Sequence, residues 1–271
     1  MDERSAPQLA QYAEKCLARN PEIRFAVLFA PSARGIRALA ALMLAHELFE
    51  TSFGLSDQRL AESKLSWWAH ELAESQAGRA SHPLTRALAE AGFADFTGAI
   101  TAASALTLEF AAATPADFVS QVGSARLWAL GLARLYATPC DRPAVLEACC
   151  TVFVAMGLLR KLQLSAHPGR YGPAVLPMSM LAKHQLSASS LGEQRAAAAI
   201  GEQAERLMAF LSGNPPPAAF AELSALAANV RLTARAIARG AHREFPRVNP
   251  FSRLYLGWRA ALSARSQDQS P

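Results

Sequence analysis

The sequence predicts an all-α protein, on three observations. Ala and Leu are its commonest residues, and both are strong helix formers. Period-2 apolar runs rich in β-branched residues, the mark of a half-buried strand, are scarce. The 16 Pro and 15 Gly fall between stretches of helical periodicity, where they act as punctuation. At 271 residues the chain suits one large domain, 1–271, with a substantial core.

The helices follow in order. Pro7 opens the first, which is expected to reach Arg19 within an N-terminal segment 1–20. Asn20-Pro21 breaks it, and Pro21 suits the first turn of a short second helix. After Pro31 a long helix is expected from Ser32 to Thr51, with Ile36, Leu39, Ala40, Met43, Leu44 and Leu48 on its apolar face. Gly54 ends it, and Ser56 is the expected cap of a helix that carries Trp67 and Trp68 to Gln76. A short helix spans Pro83 to Ala91, and another runs from Asp95 to Ala111. Thr114-Pro115-Ala116-Asp117 reads as a helix start, with Thr as cap and Pro in the first turn, and that helix runs to Tyr136. Asp141-Arg142-Pro143 starts the next, an apolar core helix to Leu164. A loop covers Ser165–Pro177. Helices resume over Ser189–Ser212, Pro216–Arg239 and Pro250–Ser263, before a polar, frayed tail at 265–271.

Charge is unevenly placed. Residues 1–147 hold 13 Lys+Arg against 16 Asp+Glu, whereas residues 148–271 hold 14 against 6. The basic half implies an anionic partner: a diphosphate, an anionic lipid surface or an acidic protein. Arg231, Arg235 and Arg239 form an i, i+4, i+8 stripe, with Arg243, Arg247, Arg253 and Arg259 beyond. It reads either as a solvated helix face or as a contact for an anionic membrane or acidic protein. No nucleic-acid-binding motif is present, so nucleic acid is not an expected partner. The start of the chain lacks a signal-peptide pattern, and no run approaches the roughly 20 apolar residues of a membrane span. Cys16, Cys140, Cys149 and Cys150 fit no metal spacing and no disulfide framework. The expected location is the cytoplasm, extending to the surface of the inner membrane. The six histidines show no ligand spacing and read as structural, with His46 and Glu50 placed to pair across one helical turn.

Several segments, in order, resemble the squalene/phytoene synthase family over roughly residues 24–260. They are Arg24-Phe-Ala-Val-Leu-Phe-Ala-Pro31 with Arg34 and Arg37, the acid-bearing helix from Ala38 to Phe53, Trp67-Trp68-Ala-His-Glu71-Leu72, Ser81-His82-Pro83-Leu84, Leu176-Pro177-Met178, and Ala236-Ile-Ala-Arg-Gly240 through Arg253-Leu-Tyr-Leu256. The resemblance implies an isoprenoid synthase-like bundle of antiparallel helices around a central apolar cavity. It also implies two Asp-rich motifs on facing helices, which hold Mg²⁺ against a substrate diphosphate.

Here the chain departs from the pattern. From Ala148 to Gly192 it runs 45 residues without an Asp or Glu, and Arg160-Lys161 stands near the place of the second motif. The first motif keeps Glu50, with Glu47 three residues earlier. Mg²⁺ needs oxygen ligands, normally carboxylates, which Arg and Lys cannot supply. Ionising an allylic diphosphate without those Lewis acids forfeits several kcal/mol, of order, at the transition state. The expected reading is therefore a catalytically impaired protein with no catalytic residue and no cofactor. Its anion site would be Arg34, Arg37, Arg160, Lys161 and Arg170, with Glu47 and Glu50 a vestigial metal pair, and it would bind a prenyl group or other lipid or serve in assembly. Leu159-Arg160, His167, Arg170 and Leu176-Pro177-Met178 are also similar to the mitochondrial complex I assembly factors of this type. The competing reading is an active, Mg²⁺-dependent prenyltransferase that uses Glu47, Glu50 and Glu71 or Glu109. A third is a scaffold whose cavity is filled by its own side chains.

Overall fold

The computed structural model describes residues 12–18, 20–31, 35–137, 143–164, 174–187, 190–191, 194–216, 220–240 and 248–268, the last four as backbone only. Every regular element among them is helical: α1 (12–18), α2 (Pro21–Val27), α3 (Gly35–Phe53), α4 (Gln58–Gln76), α5 (Pro83–Glu90), α6 (Thr97–Leu108), α7 (Phe118–Tyr136), α8 (Pro143–Leu164), α9 (Met178–Lys183), α10 (Ala197–Gly213), α11 (Ala221–Ala238) and α12 (Pro250–Asp268).

The helix ends show where local chemistry overrode the sequence pattern. Asp57, not Ser56, caps α4, because its carboxylate accepts from the backbone N–H of Arg59 and Leu60 at 2.9 and 3.2 Å. A carboxylate also complements the helix dipole better than a hydroxyl. Likewise α7 starts at Phe118 under the Asp117 carboxylate, which accepts from Ser120 N–H at 2.8 Å. Thr114-Pro115-Ala116 stays outside the helix because the Pro115 and Ala116 carbonyls accept from Met178 and Ser179 N–H at 2.8 and 2.9 Å. Those two bonds seat the first turn of α9, a short helix that the sequence pattern does not reveal. Gly54 N–H still bonds to Glu50 C=O, so α3 ends at Phe53, two residues beyond the expected Thr51. A 3-10 turn at Gln194–Ala196 precedes α10, α11 begins at Ala221, and α12 continues to Asp268 past the expected Ser263.

One hydrophobic core runs through the bundle. Its axis is α8, packed against α3, α7, α10 and α11. The helix is long and apolar enough to cross a membrane, yet most of its apolar stretch is buried inside the protein. Small residues set the spacing. At the α6–α7 crossing a Cβ on Gly98 would lie 2.5 Å from the Gly131 carbonyl oxygen, so only glycine lets the two backbones meet. Gly157 of α8 makes room for the Trp128 indole, which its Cβ would overlap. Trp128 in turn meets Phe49 and Phe53 of α3 edge-to-face, with ring centroids 5.0 and 6.4 Å away. These aromatics fill the space between α3, α7 and α8. Ile36, expected on the buried face of α3, lies in its first turn and is exposed.

Candidate functional site

The site is the facing pair α3 and α8. The acids and bases of the sequence meet there, across the bundle rather than across water. The Arg160 Nε donates to Glu50 Oε1, joining α8 to α3. His46, one turn before Glu50, places Nδ1 3.9 Å from the same oxygen, while its Nε2 lies 2.9 Å from the Asn20 amide. The next residue of α8, about 100° round the helix, reaches another neighbour. Lys161 Nζ donates to Glu109 Oε2 at 2.7 Å at the end of α6, and lies 4.7 Å from the centroid of Phe53. Glu109 also accepts from the Trp128 indole N–H at 2.8 Å. Arg160 and Lys161 thus tie α8 to α3 and to α6.

Beside this face opens a cavity of about 900 Å³, with Tyr12, Glu22, Glu47, Glu50, Arg160 and Arg253 among its lining residues. The expected apolar cavity is instead mixed: charged Lys15 and Lys64 line it too, beside an apolar wall that includes Ala18, Phe25, Leu55 and Val248. A smaller void of about 30 Å³ lies nearby, between polar Asn20, His46 and Arg160 and apolar Phe49, Met156 and Val230. A second polar network closes one side. Glu22 accepts from Thr233 Oγ1 at 2.6 Å and lies 3.2 Å from Arg253 Nη1, while Arg253 Nη2 donates to Thr233 Oγ1 at 3.0 Å. Sequence reasoning had placed Arg253 in the basic stripe, but it is 2 % exposed. It sits on α12, out of the stripe's four-residue spacing, and its burial is tied to a partner on α2 more than 200 residues away.

The electrostatics of the cavity floor are negative. Burial raises the Tyr12 hydroxyl above its ordinary value, and the nearby Glu47 carboxylate adds to the rise. Burial, then Glu47 and Glu50, push the Cys16 thiol up to about 12. Both groups stay neutral at pH 7, and both report the carboxylates of α3.

The other acids of the competing reading are engaged elsewhere. Glu71 is buried, which alone would raise its carboxyl, but it accepts from His82 N–H, the Ser81 hydroxyl, Thr85 Oγ1 and Ser81 N–H and is held down to about 2. It pins the turn that starts α5. His82 caps that helix and is surrounded by Tyr12, Trp67 and Trp68, with Trp68 buried and Trp67 half-exposed. Burial lowers the His82 imidazole.

The residues present do not fit Mg²⁺. A hard divalent cation takes about six oxygen ligands. Among the described residues no three His, Cys, Asp or Glu side chains gather to hold a metal. One wall presents Glu47 and Glu50, and the facing wall presents Arg160, not a second acid cluster. Of the predicted anion residues, Arg160 lines the cavity and Lys161 lies behind it, while Arg37 stacks on Phe93 at 4.0 Å and does not line it. Arg34 and Arg170, like His167, lie outside the described residues. Lys15, Lys64, Glu22, Thr233 and Arg253 were not anticipated as cavity residues.

No protein-family model matches the sequence, and no curated protein matches it. Solved structures match in fold. A dehydrosqualene synthase in complex with ligand aligns with a TM-score of 0.71 at 14 % identity, over 97 % of this chain and 99 % of that one. Squalene synthase HpnC from Alicyclobacillus acidocaldarius aligns with a TM-score of 0.58 at 15 % identity, over 87 % and 95 %. The chain has the all-α isoprenoid synthase-like fold that its ordered segments imply.

Proposed function

We propose that this chain uses a prenyl-synthase fold for binding rather than for prenyl transfer, as a pseudoenzyme that seats an amphiphile or serves in assembly. The carrying observation is the Arg160–Glu50 pair: a guanidinium fixed to α8 neutralises the carboxylate that would otherwise face a metal. Tight binding of a ground state does not by itself accelerate ionisation of a diphosphate, so an Arg-for-Mg²⁺ exchange preserves attraction for anions while removing the Lewis acid. The ligand class that suits the cavity has an anionic head, for Lys15, Lys64 and Arg160, and a prenyl or other lipid tail lying along its apolar wall. The cavity's volume is within the range of sites for molecules of that size. Arg160 meets such a head only by sharing it with Glu50.

The test is direct. Incubation with Mg²⁺ and farnesyl or geranylgeranyl diphosphate should release no pyrophosphate above background. A squalene- or phytoene-like product would overturn the proposal. Diphosphate binding, followed by calorimetry, should tighten in Glu50→Gln, which removes the competing carboxylate charge, and weaken in Arg160→Ala. No change in either variant would remove Arg160 from the binding role.

A further inference from the structure

The exposed face of α12 is apolar where a soluble helix is normally polar. Phe251, Leu254, Tyr255, Trp258 and Leu262 are all exposed, Phe251 by 79 % and Trp258 by 49 %. Their spacing places them in one stripe along the helix. The opposite face carries the buried Arg253, Gly257, Ala261 and Ala264, packed on α11. Gly257 marks that contact, since a Cβ there would come within 3.3 Å of the Asn229 amide nitrogen.

Among the described residues of α11 and α12, the exposed charge beside the stripe is positive. Arg253 bonds to Thr233, whereas Gly257, one turn on, lies against Asn229 and Ala225, so α11 and α12 run antiparallel. That register sets Arg235 and Arg239, both exposed, at the end of the pair from which Phe251 projects. Arg259 lies on the stripe itself, its guanidinium 5.9 Å from the Tyr255 ring. The only acid on α11 is Glu222, fully buried, and α12 has none before Asp268.

We infer that the outer face of α12, with Arg235, Arg239 and Arg259, is a docking surface for an anionic lipid bilayer. Trp and Tyr rings beside Arg side chains suit the headgroup boundary, where an apolar body and a polar tip are both satisfied. An interface between two copies of the chain would set these like-charged arginines close together across a two-fold axis. The docked end is also the end where Val248 and Pro250 line the cavity, so the bilayer would lie beside that part of its wall. Docking does not depend on what the cavity holds.

The test is flotation of the full chain with vesicles of phosphatidylcholine alone and of phosphatidylcholine with phosphatidylglycerol. Binding to the anionic vesicles should exceed binding to the neutral ones at least tenfold and weaken with salt. Arg235→Ala/Arg239→Ala should lose about 30-fold, the worth of two cations near an anionic leaflet. Phe251→Ser/Trp258→Ser should lose at least tenfold while melting as wild type does by circular dichroism, because both side chains are exposed. Equal binding of either variant overturns the inference. So does a wild-type chain that ignores vesicles but dimerises by light scattering through the stripe, or that captures an acidic peptide and no lipid.

Discussion

Replacing Lys161 with Met tests whether the basic pair on α8 is an internal staple. Lys161 Nζ lies 2.7 Å from Glu109 Oε2, with the two side chains only 6 and 11 % exposed. Met fills much of the lysine stem's volume but supplies no charge. Glu109 then keeps a single partner, the Trp128 N–H, in a place water barely reaches. Removing one member of a buried pair costs about 3–5 kcal/mol, chiefly because the other charge stays buried and uncompensated. For a chain of this size, roughly 2–4 °C of melting temperature accompany each kcal/mol, so Lys161→Met should melt about 6–20 °C below wild type. Glu109→Gln added to it removes the orphaned charge and retains an acceptor for Trp128. The double variant should therefore recover most of the loss. Thermal unfolding by circular dichroism and urea unfolding with an unchanged m-value are the assays. A single variant within about 2 °C of wild type, or a double variant no better than the single, would refute the reasoning.

Three further outcomes are expected. Gly157→Ala should lower stability by about 1–3 kcal/mol, since its Cβ overlaps the buried Trp128 indole and the core has no room to yield. A melt equal to wild type would show that Trp128 repacks freely. Glu71, held down to about 2 against an ordinary 4.5, contributes stability that is fully present above about pH 4.5 and is lost as pH falls through 2; its worth is about 3 kcal/mol. The stability gap between wild type and Glu71→Gln should shrink on acidification over that window, and a pH-independent gap would contradict the assignment. Burial pushes the Cys150 thiol up to about 11 and the Cys16 thiol up to about 12, and Cys149 is fully buried, so these three should resist a thiol reagent at pH 8 until the chain unfolds. Rapid native labelling at any of them, located by mass spectrometry, would contradict this.

The fold was legible because helical periodicity and punctuation are local. Pro21, Pro83 and Gly54 mark real ends, and the ordered Trp-Trp, His-Pro and Leu-Pro segments imply the bundle whose backbone the solved structures share. Where the reading failed, a distant partner decided. Thr114-Pro115 has the chemistry of a helix start, but its neighbouring carbonyls are bonded to α9, more than 60 residues away. The site was legible in composition and not in connection. The acid-free stretch and Arg160-Lys161 can be read directly, and so can the His46–Glu50 pairing at one turn. That Arg160 would meet Glu50, or Lys161 meet Glu109, needs the bundle closed. Arg253 shows the same limit, since nothing in a run of arginines tells which one turns inward to Glu22.

Those pairings also show how the contacts of α8 are held without a bound ion. Two sets of carboxylates facing each other across a cavity repel, and a metal-dependent site relies on bound cations to offset that repulsion. Here the offset is covalently part of the chain: Glu50 meets Arg160 and Glu109 meets Lys161, so the α3–α8 and α6–α8 contacts need no ion. An arginine at 160 is more apt than an apolar residue, because Glu50 would otherwise lose the guanidinium that it faces across α3 and α8. On the function proposed above, Arg160, with Lys15 and Lys64 also lining the cavity, would attract an anionic head only in competition with Glu50. The Arg160 and Lys161 pairs would then serve the architecture and the ligand site together.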